Sequence, residues 1–462
     1  MTDDTWRGDL RLACVTVHRS ISAYTAVRVR ECLRPADISL KPQSYIERLA
    51  AAPRDPGLPP VLALGGGITL AAVLNILHKN RSPYYALCPA DDFVCSSRWF
   101  RRLPTLFPEP GPSDLEAVLS TLDLESAFLL PCSDDWLRAV AQLPRSLAAR
   151  FPSNTSRSCV EVLTDKWRFA ELLNQLRIPH PTTRLIRSTE ELSALSDSSF
   201  EGAILKPLSS VAFASRHGVK GYVVQGRAQA NEILRSIELP ILLQEFVPGP
   251  PDAGYFLDGY RDRNGRMAAL FGRRRLRMHP CRLGNSTVVE SVPLRDLHAA
   301  IFPLEYLLDR ISYCGIFSAE FKYDSCDREF KLIEINARPW WYVEFAAACG
   351  VDVCDLAYRD AMRLPLAEAH GYDVGRRGGL VLHDLRAWRS RRGHYASLFS
   401  ILKTWSSASS TPFHGNDPVP CLRYFFQSMN GTGHHPERVS SSHPEPETSP
   451  EQVAPPLTPT VK

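Results

Sequence analysis

The sequence predicts an α/β protein in which a domain with a parallel sheet is followed by an α+β region of mostly antiparallel strands. Two observations predict this fold class. From Val61 onward, apolar strands alternate with an amphipathic helix, in "VLALGGG", "ITLAAVLNILHKN" and "PYYALCP". Beyond residue 200 strands predominate, and Asn264-Gly265 within "YFLDGYRDRNGRMAALFGRRRL" is typical of a hairpin turn. A chain of 462 residues is long enough for two or three domains.

Composition excludes several classes of function. Apolar residues make up 44% and charged residues 23% of the chain, and the net charge of +4 is spread along it, so we expect no nucleic-acid or membrane partner. The start "MTDDTW" lacks the layout of a secretion signal. The 12 cysteines are scattered without a C-x-x-C pair, which favours reduced thiols and a cytoplasmic location.

The first half of the chain supplies a strand and a helix where ligands often bind. "SAFLLPCSDD" is a strand with polar residues just past its end, and loops at that end of parallel strands commonly hold ligands. "TDKWRFAELLNQL" predicts a helix that begins near Asp165, and the two prolines of "RIPHPTT" end it.

Two carboxylates and an amide interrupt a predicted pair of strands. In "KLIEINARPWWYVEF", Glu334 and Asn336 are two residues apart and therefore project from the same face. The preceding strand, "GIFSAEFKYD", is joined to this one by the polar stretch "SCDRE", and a hairpin centred on Asp327 places Glu320 directly opposite Glu334. Like charges in this position are destabilising unless a cation lies between them, and this oxygen set suits Mg²⁺. A strand face that simply contacts water is the alternative.

Phosphate-binding and adenine-binding features are predicted upstream. Lys206 ends the strand "GAILKP" and precedes the polar loop "LSSVAFASRHGVKG", which can fold over phosphates. "ILLQEFVPGPPD" is a strand that breaks at Pro248-Gly249, which leaves backbone groups free for an adenine edge and places Asp252 near a ribose. An ordinary surface hairpin and an ordinary strand-and-turn are the alternatives for these two segments.

Taken in order, these segments resemble the ATP-grasp superfamily. The resemblance is greatest to the branch of carboxylate–amine ligases that includes D-aspartate ligase and the carbamoyl-phosphate synthase large chain. It extends from about Val61 to Pro365. The segments that carry it are "LALGGGITLAAVLNIL", "LTDKWRFAELLNQLRIPHPTT", "AILKP", "LLQEFVPG", "GIFSAEFKYD" and "LIEINARPWW". The loop "SSVAFASRHGVKG" contains less glycine than the corresponding loop of the family usually does.

The resemblance implies how ATP would be bound. Lys166 and Lys206 match the two lysines that face the phosphates, and Asp252 lies near the acid that binds ribose. The hinge that holds adenine corresponds to Gln244, Glu245, Phe246 and Val247.

The resemblance also implies metal ligands and catalytic residues. Glu320, Glu334 and Asn336 match the ligands of Mg²⁺, usually two ions, for which Mn²⁺ can substitute. Arg338 matches an arginine directed at the γ-phosphate and the acyl phosphate. Arg275 stands where the family has a basic residue near the transferred phosphoryl group, although five arginines in "FGRRRLRMHPCR" compete for that role.

The domain organisation follows from the same resemblance. We predict an N-terminal Rossmann-like domain, then a two-lobed ATP-grasp fold with mostly antiparallel sheets, then a helical C-terminal extension. The predicted boundaries are 1–58 for an extension of uncertain structure, 59–150 for the Rossmann-like domain, 151–368 for the ATP-grasp domain with its lid lobe at about 182–246, 369–430 for the helical extension and 431–462 for a disordered tail.

The predicted function is ligation of a small carboxylate to an amine, such as an amino acid or peptide-like acid, with ATP and Mg²⁺ and through an acyl phosphate. An ATP-grasp kinase or a non-catalytic ATP-binding module is the alternative. A dinucleotide-dependent oxidoreductase is disfavoured, because Leu70 stands at the third position of the fingerprint that begins at Gly65 and Gly67. The basic helix "LRAWRSRRGHYASLF" is explained by a solvated face. The oligomeric state stays open.

Overall fold

The structure, a computed structural model, describes residues 57–430 except for short internal gaps. The predictions for residues 1–56 and for the tail 431–462 therefore lie outside the described residues, as does most of the loop at 209–218. The gaps are at 106, 108–109, 209–212, 214–215, 218, 281–282, 367–370, 390–400, 402–403, 406–407 and 410–411.

The described elements alternate between helices and strands before residue 200 and are mostly strands afterwards. The strands are β1 Val61–Leu64, β2 Tyr84–Leu87, β3 Phe128–Pro131, β4 Thr183–Ile186, β5 Ala203–Pro207, β6 Tyr222–Val224, β7 Ile241–Glu245, β8 Gly254–Arg261, β9 Met267–His279, β10 Asn285–Ser291, β11 Gly315–Asp324, β12 Glu329–Asn336, β13 Arg377–Gly379 and β14 Ala408–Ser409. The helices are α1 Gly67–Lys79, α2 Leu115–Thr121, α3 Asp134–Ala141, α4 Arg145–Arg150, α5 Arg157–Leu163, α6 Lys166–Gln175, α7 Thr189–Ser193, α8 Arg227–Leu234, α9 His298–Arg310, α10 Val343–Ala348, α11 Val353–Ala361, α12 Val381–Arg389 and α13 Pro418–Asn430.

The first sheet is parallel, with strand order β2-β1-β3. Helix α1 follows β1 and is buried on nearly every side, from Ile68 to Leu77. It packs between the strands and helices α10 and α11, and it shares one apolar core with them. This position explains why its sequence is apolar all round. Among the described helices, none combines the length and the hydropathy that a membrane span requires.

The second sheet is antiparallel, with strand order β4-β7-β5-β6. It has its own small apolar core, which includes Phe200, Leu205 and Ile241. The four strands lie within the region where the sequence predicts a lid lobe.

The third sheet has seven strands in the order β12-β11-β8-β9-β10-β13-β14, and only its last pair is parallel. The turn between β8 and β9 contains Gly265 at φ +73°, as expected of the Asn-Gly pair. Helices α5, α6 and α9 share an apolar core with the inner side chains of β11 and β12, among them Phe321 and Leu332.

The predicted helical extension also contributes two strands to this sheet. Strand β13 pairs with the edge of β10, and β14 pairs with β13. A β-carbon on Gly378 would lie 2.7 Å from the Phe345 ring, so a side chain here would obstruct the close approach. The sequence of β13, "RGG", has no pattern that predicts a strand. It forms a strand because the free edge of β10 is available to pair with it.

Candidate functional site

A cleft of about 860 Å³, including its open mouth, lies where the second and third sheets face each other. Its walls come from α3, α6, β5, β7 and β12. The predicted site residues that line it are Lys166, Lys206, Gln244, Glu334 and Asn336.

Two lysines meet on one wall of the cleft. Lys166 is the first residue of α6, a helix capped by Asp165, and its Nζ donates to the Pro207 carbonyl oxygen at 3.3 Å. Lys206 lies near the end of β5, and its Nζ donates to Gln244 Oε1 at 2.6 Å. Burial lowers the pKa of both ammonium groups, that of Lys166 to about 8, and the carboxylate of Glu334 opposes this effect in each case. Two partly desolvated cations side by side favour an anion in the cleft.

Glu320 and Glu334 lie directly opposite each other on β11 and β12, as the sequence predicts. The turn, however, is centred between Cys326 and Asp327 instead of on Asp327, since Asp324 pairs with Glu329. A bulge restores the register: Phe321 pairs with Leu332 and Glu320 with Glu334, so Ile333 is the extra residue. The bulge aims the Glu334 side chain into the cleft.

From Glu334 a chain of polar contacts leads to the first domain. Asn336 Nδ2 donates to Glu334 Oε1 at 3.1 Å, and Arg338 Nη2 donates to Asn336 Oδ1 at 3.1 Å. Arg338 Nε in turn donates to Asp134 Oδ1 at 2.7 Å. Burial acts to raise the pKa of Asp134, but Arg338, Arg138 and Lys166 together outweigh it and the pKa is lowered. Arg338 is therefore held by an anion from α3.

Arg275 is the arginine of its group that reaches the carboxylate pair. Its Nη2 donates to Glu320 Oε1 at 2.8 Å, and its Nε donates to Ser286 Oγ at 2.9 Å. Neighbouring arginines have other partners. Arg274 projects from the opposite face of β9, because alternate residues of a strand face opposite sides, whereas Arg273 and Arg277 share the face of Arg275 but reach different carboxylates. Among the described residues, Arg273 pairs with Asp258, Arg274 with Glu290 and Arg277 with Asp384.

The predicted adenine hinge begins at the end of β7, beside the cleft. Gln244 lines the cleft, whereas Glu245, Phe246, Val247 and Asp252 do not. Glu245 Oε2 accepts from the Thr182 N–H at 2.9 Å, and the Phe246 N–H donates to the Gly202 carbonyl oxygen at 3.0 Å. The buried Val247 N–H has no acceptor within the part of the chain that the structure describes. Asp252 is exposed, in a short 3-10 turn.

Sequence reasoning missed Lys331, which ties the hinge to the hairpin turn. Its buried Nζ lies 2.8 Å from carboxylate oxygens of Glu245, Asp324 and Asp327. Burial alone would lower the pKa of Lys331, but these three partners raise it well above its usual value. The signal that was available is a lysine between apolar residues of the strand, in "FKLI".

Asp134 and Arg138 were also missed, and both line the cleft. Arg138 Nη2 donates to the Thr164 carbonyl oxygen at 3.1 Å, which fixes the loop before Lys166. Their signal was the polar run "SDD" after an apolar strand, which indicated a ligand-facing loop without naming a residue.

In the glycine-rich loop after β1, a carboxylate contacts the helix terminus where a dinucleotide pyrophosphate would bind. Asp92 Oδ2 accepts from the Gly67 N–H at 2.8 Å, at the first residue of α1. In dinucleotide-binding folds the pyrophosphate lies at this helix terminus. Here a carboxylate occupies the position and would repel phosphate, which argues against the oxidoreductase alternative.

The chemistry of the carboxylate pair fits Mg²⁺. The described residues include no group of three or more His, Cys, Asp and Glu side chains that could hold a metal alone. Glu320, Glu334 and Asn336 instead offer two carboxylates and an amide oxygen, a hard donor set that is incomplete without phosphate or water oxygens. Arg275 already contacts one carboxylate, so positive charge is favoured at this place.

Comparison with known proteins gives two relatives and a structural likeness. The chain is 27% identical over 226 residues to a D-aspartate ligase of Enterococcus faecium, covering 46% of this chain and 53% of that protein. It is 26% identical over 214 residues to the C-terminal section of the carbamoyl phosphate synthase large chain of Methanopyrus kandleri, covering 43% and 37%. The chain thus spans about half or less of the curated relatives it matches. No protein-family model matches it.

The fold resembles that of a carboxyaminoimidazole ribonucleotide synthase from Aspergillus clavatus, whose structure was determined with ATP. The TM-score is 0.56, with 13% identity, over 72% of this chain and 86% of that chain. At this identity the likeness concerns the fold alone.

Proposed function

We propose that this chain is an ATP-dependent ligase. The premise is that it belongs to the ATP-grasp superfamily, in its branch of carboxylate–amine ligases. It would join a small carboxylate to an amine and release ADP and phosphate. An amino acid or a peptide-like acid is the substrate class that we propose.

The proposal is carried by the arrangement around Glu334. Glu334 and Asn336 face Lys166 and Lys206 in one cleft, and Arg338 is bonded to Asn336 at 3.1 Å. A face with carboxylates beside a face with ammonium groups suits a metal–nucleotide complex, in which phosphates bind the lysines and the cation binds the acids.

Most of the proposed ligand contacts use a group already in place. The phosphates of ATP would accept hydrogen bonds from Lys166 and Lys206, and adenine would accept from the Val247 N–H, which is buried without a described acceptor. Asp252 would bind the ribose hydroxyls if the exposed turn moves toward the cleft. Mg²⁺ held by Glu320, Glu334 and Asn336 would neutralise charge on phosphate oxygens; two ions, replaceable by Mn²⁺, belong to the proposal.

Phosphoryl transfer comes first in the proposed reaction. A carboxylate oxygen of the substrate attacks the γ-phosphorus, the bond from that phosphorus to the bridging oxygen breaks, and ADP leaves. Arg338 and Arg275 stabilise the charge on the transferred group, and Asp134 orients Arg338. Positioning and charge neutralisation account for most of the catalysis, because this step requires little covalent chemistry from the protein.

Amide formation follows. The amine nitrogen attacks the carbonyl carbon of the acyl phosphate, the carbon–oxygen bond to phosphate breaks, and phosphate leaves with its electron pair. The ammonium proton is released to solvent, so an amine that arrives deprotonated needs no base. Closure of the lid lobe over the cleft would protect the acyl phosphate from water.

The test follows oxygen atoms as well as ADP. Carboxylates labelled with ¹⁸O are incubated with Mg²⁺–ATP and a panel of amines, and the released phosphate is analysed by mass spectrometry. A ligase places one labelled oxygen in phosphate for each amide formed. Release of ADP with a hydroxyl substrate and no label in phosphate would refute ligation and identify a kinase. Glu334→Gln should abolish turnover, whereas Glu329→Gln, a matched change at the other end of β12, should not.

A further inference from the structure

Two cysteines of the first domain have sulfur atoms in contact. Cys88 directly follows β2, and Cys95 lies in the 3-10 turn Phe93–Ser96. Their Sγ atoms are 3.3 Å apart, and Cys95 Sγ also donates to the Pro89 carbonyl oxygen at 3.4 Å. All nine cysteines that the structure describes are free thiols. The contact has no part in the proposed ligase site.

The positions of the two thiols assign them different roles in oxidation. Cys88 is only 4% exposed, whereas Cys95 is half-buried and reaches solvent. The hydrogen bond between the two sulfur atoms lowers the pKa of Cys95; burial and Asp92 oppose this effect, and the guanidinium groups of Arg102 and Arg423 support it. The same hydrogen bond and burial raise the pKa of Cys88. Cys95 is therefore the thiolate that an oxidant meets first, and Cys88 is the thiol beside it.

We propose that Cys88 and Cys95 are a redox modification site, which a hydroperoxide converts to a reversible disulfide. The Cys95 thiolate attacks one peroxide oxygen, the O–O bond breaks, and Cys95 becomes a sulfenic acid while water (or an alcohol) leaves after taking up a proton. The Cys88 sulfur then attacks the Cys95 sulfur, the S–O bond breaks, and a second water leaves with the Cys88 proton. The peroxide is reduced by two electrons and the thiol pair is oxidised by two.

Little movement is needed to form the bond. The sulfur atoms must approach from 3.3 Å to about 2.05 Å, a distance that side-chain rotation of the half-buried Cys95 can cover. The residues between them already fold back tightly, since the Asp92 N–H donates to the Pro89 carbonyl oxygen and the Cys95 N–H to the Asp92 carbonyl oxygen, both at 3.1 Å.

The same loop connects two distant parts of the molecule. Asp92 closes the glycine-rich loop through the Gly67 N–H, and the Asp91 carbonyl oxygen accepts from Gln427 of α13 at 2.6 Å. The Phe93 ring also packs on Tyr424, with ring centroids 5.0 Å apart. A disulfide between Cys88 and Cys95 would therefore alter the contacts between this loop of the first domain and helix α13.

The test uses the intact chain and a peptide that holds both cysteines. Cleavage at Arg81 and Arg98 yields "SPYYALCPADDFVCSSR", residues 82–98. After hydrogen peroxide treatment, denaturation and N-ethylmaleimide, we expect this peptide two hydrogens lighter and without maleimide. Dithiothreitol added before alkylation should restore two maleimide groups. Cys326→Ser, which removes an exposed cysteine, should leave this result unchanged.

Two further measurements make the proposal refutable. In Cys88→Ser the oxidation should stop at a Cys95 sulfenic acid that dimedone traps, whereas Cys95→Ser should give no adduct at Cys88. The disulfide should also form faster in the folded chain than in the urea-unfolded chain. The proposal is overturned if residues 82–98 carry two maleimide groups under conditions that oxidise Cys326, or if unfolding does not slow the reaction.

Discussion

Replacing Lys331 by methionine should destabilise the region around β11 and β12 strongly, since it removes one cation from three carboxylates. Methionine keeps an unbranched side chain of similar length and loses only the charge and its hydrogen bonds. Lys331 is 7% exposed and Asp324 is 3% exposed, whereas Glu245 and Asp327 are 34% and 53% exposed. After the substitution, the two exposed carboxylates can be hydrated, and Asp324 is left as an unpaired buried charge.

The magnitude follows from this difference in exposure. Breaking a buried ion pair costs about 3–5 kcal/mol, and exposed pairs contribute roughly 0–1 kcal/mol each. Because Asp324 keeps its hydrogen bond from the Cys326 N–H at 2.9 Å, we expect the lower end of that range, about 3 kcal/mol. For a unit of 150–250 residues this corresponds to a fall in melting temperature of roughly 6–12 °C.

The assay is thermal unfolding of the wild type, Lys331→Met and Lys331→Met/Asp324→Asn at pH 7 and in acid. The double variant should be more stable than the single variant, because it no longer buries an unpaired charge. Lys331 lowers the pKa of Asp324 in the folded protein. The ion pair therefore stabilises the wild type at pH values above the pKa of an aspartate in the unfolded chain, near 3.9. This stabilisation is lost as the pH falls through the lower pKa of Asp324 in the folded protein. The difference in melting temperature between the wild type and Lys331→Met should therefore be smaller in acid than at pH 7.

A melting temperature of Lys331→Met within about 2–4 °C of the wild type would correspond to only about 1 kcal/mol and would refute this reasoning. A double variant no more stable than the single one would refute it as well.

Three further predictions concern the cleft. Mg²⁺–ATP at about 100 times its dissociation constant should stabilise the wild type by roughly 2.7 kcal/mol in thermal unfolding, and Glu334→Gln should lose most of this gain while Glu329→Gln keeps it. ATP affinity measured by calorimetry should fall as pH rises through about 8, because Lys166 loses its proton there and phosphate favours the charged form. In Lys166→Arg the dependence of ATP affinity on pH should be flatter. The same dependence in the variant as in the wild type would contradict the assignment of Lys166 to phosphate binding. Asp134→Asn should lower kcat by about tenfold, or about 1.4 kcal/mol, at an unchanged KM for ATP, since it releases Arg338 and leaves the lysines in place; a rise in KM alone would contradict this.

The hairpin that carries Glu320 and Glu334 could be predicted from the sequence alone. Strand pairing next to a short turn is set by local alternation and turn length, so the opposition of the two acids followed from positions within one segment. The bulge at Ile333 could not be predicted, although it restored the predicted pairing after the turn had shifted by half a residue. The strands around Lys206 and Gln244 were predictable from equally local signals, because each is a short apolar run that a proline ends.

Partners from distant segments could not be predicted. Asp134 and Arg338 are 204 positions apart, and Glu245 and Lys331 are 86 positions apart. The choice of Arg275 over its neighbours depended on the carboxylate that β11 presents, on the far side of β8 in the sheet. The strands at residues 377–379 and 408–409 depended on the free edge of β10.

The sequence by itself determined the parallel first sheet, the antiparallel hairpins and the residue types of the magnesium–nucleotide site that we propose, because periodicity and turn chemistry act over a few residues. Only the tertiary structure decided which charges pair. Ion pairs and thiol contacts form between the side chains that packing brings within about 3 Å of each other. The sequence pattern does not predict which side chains these are.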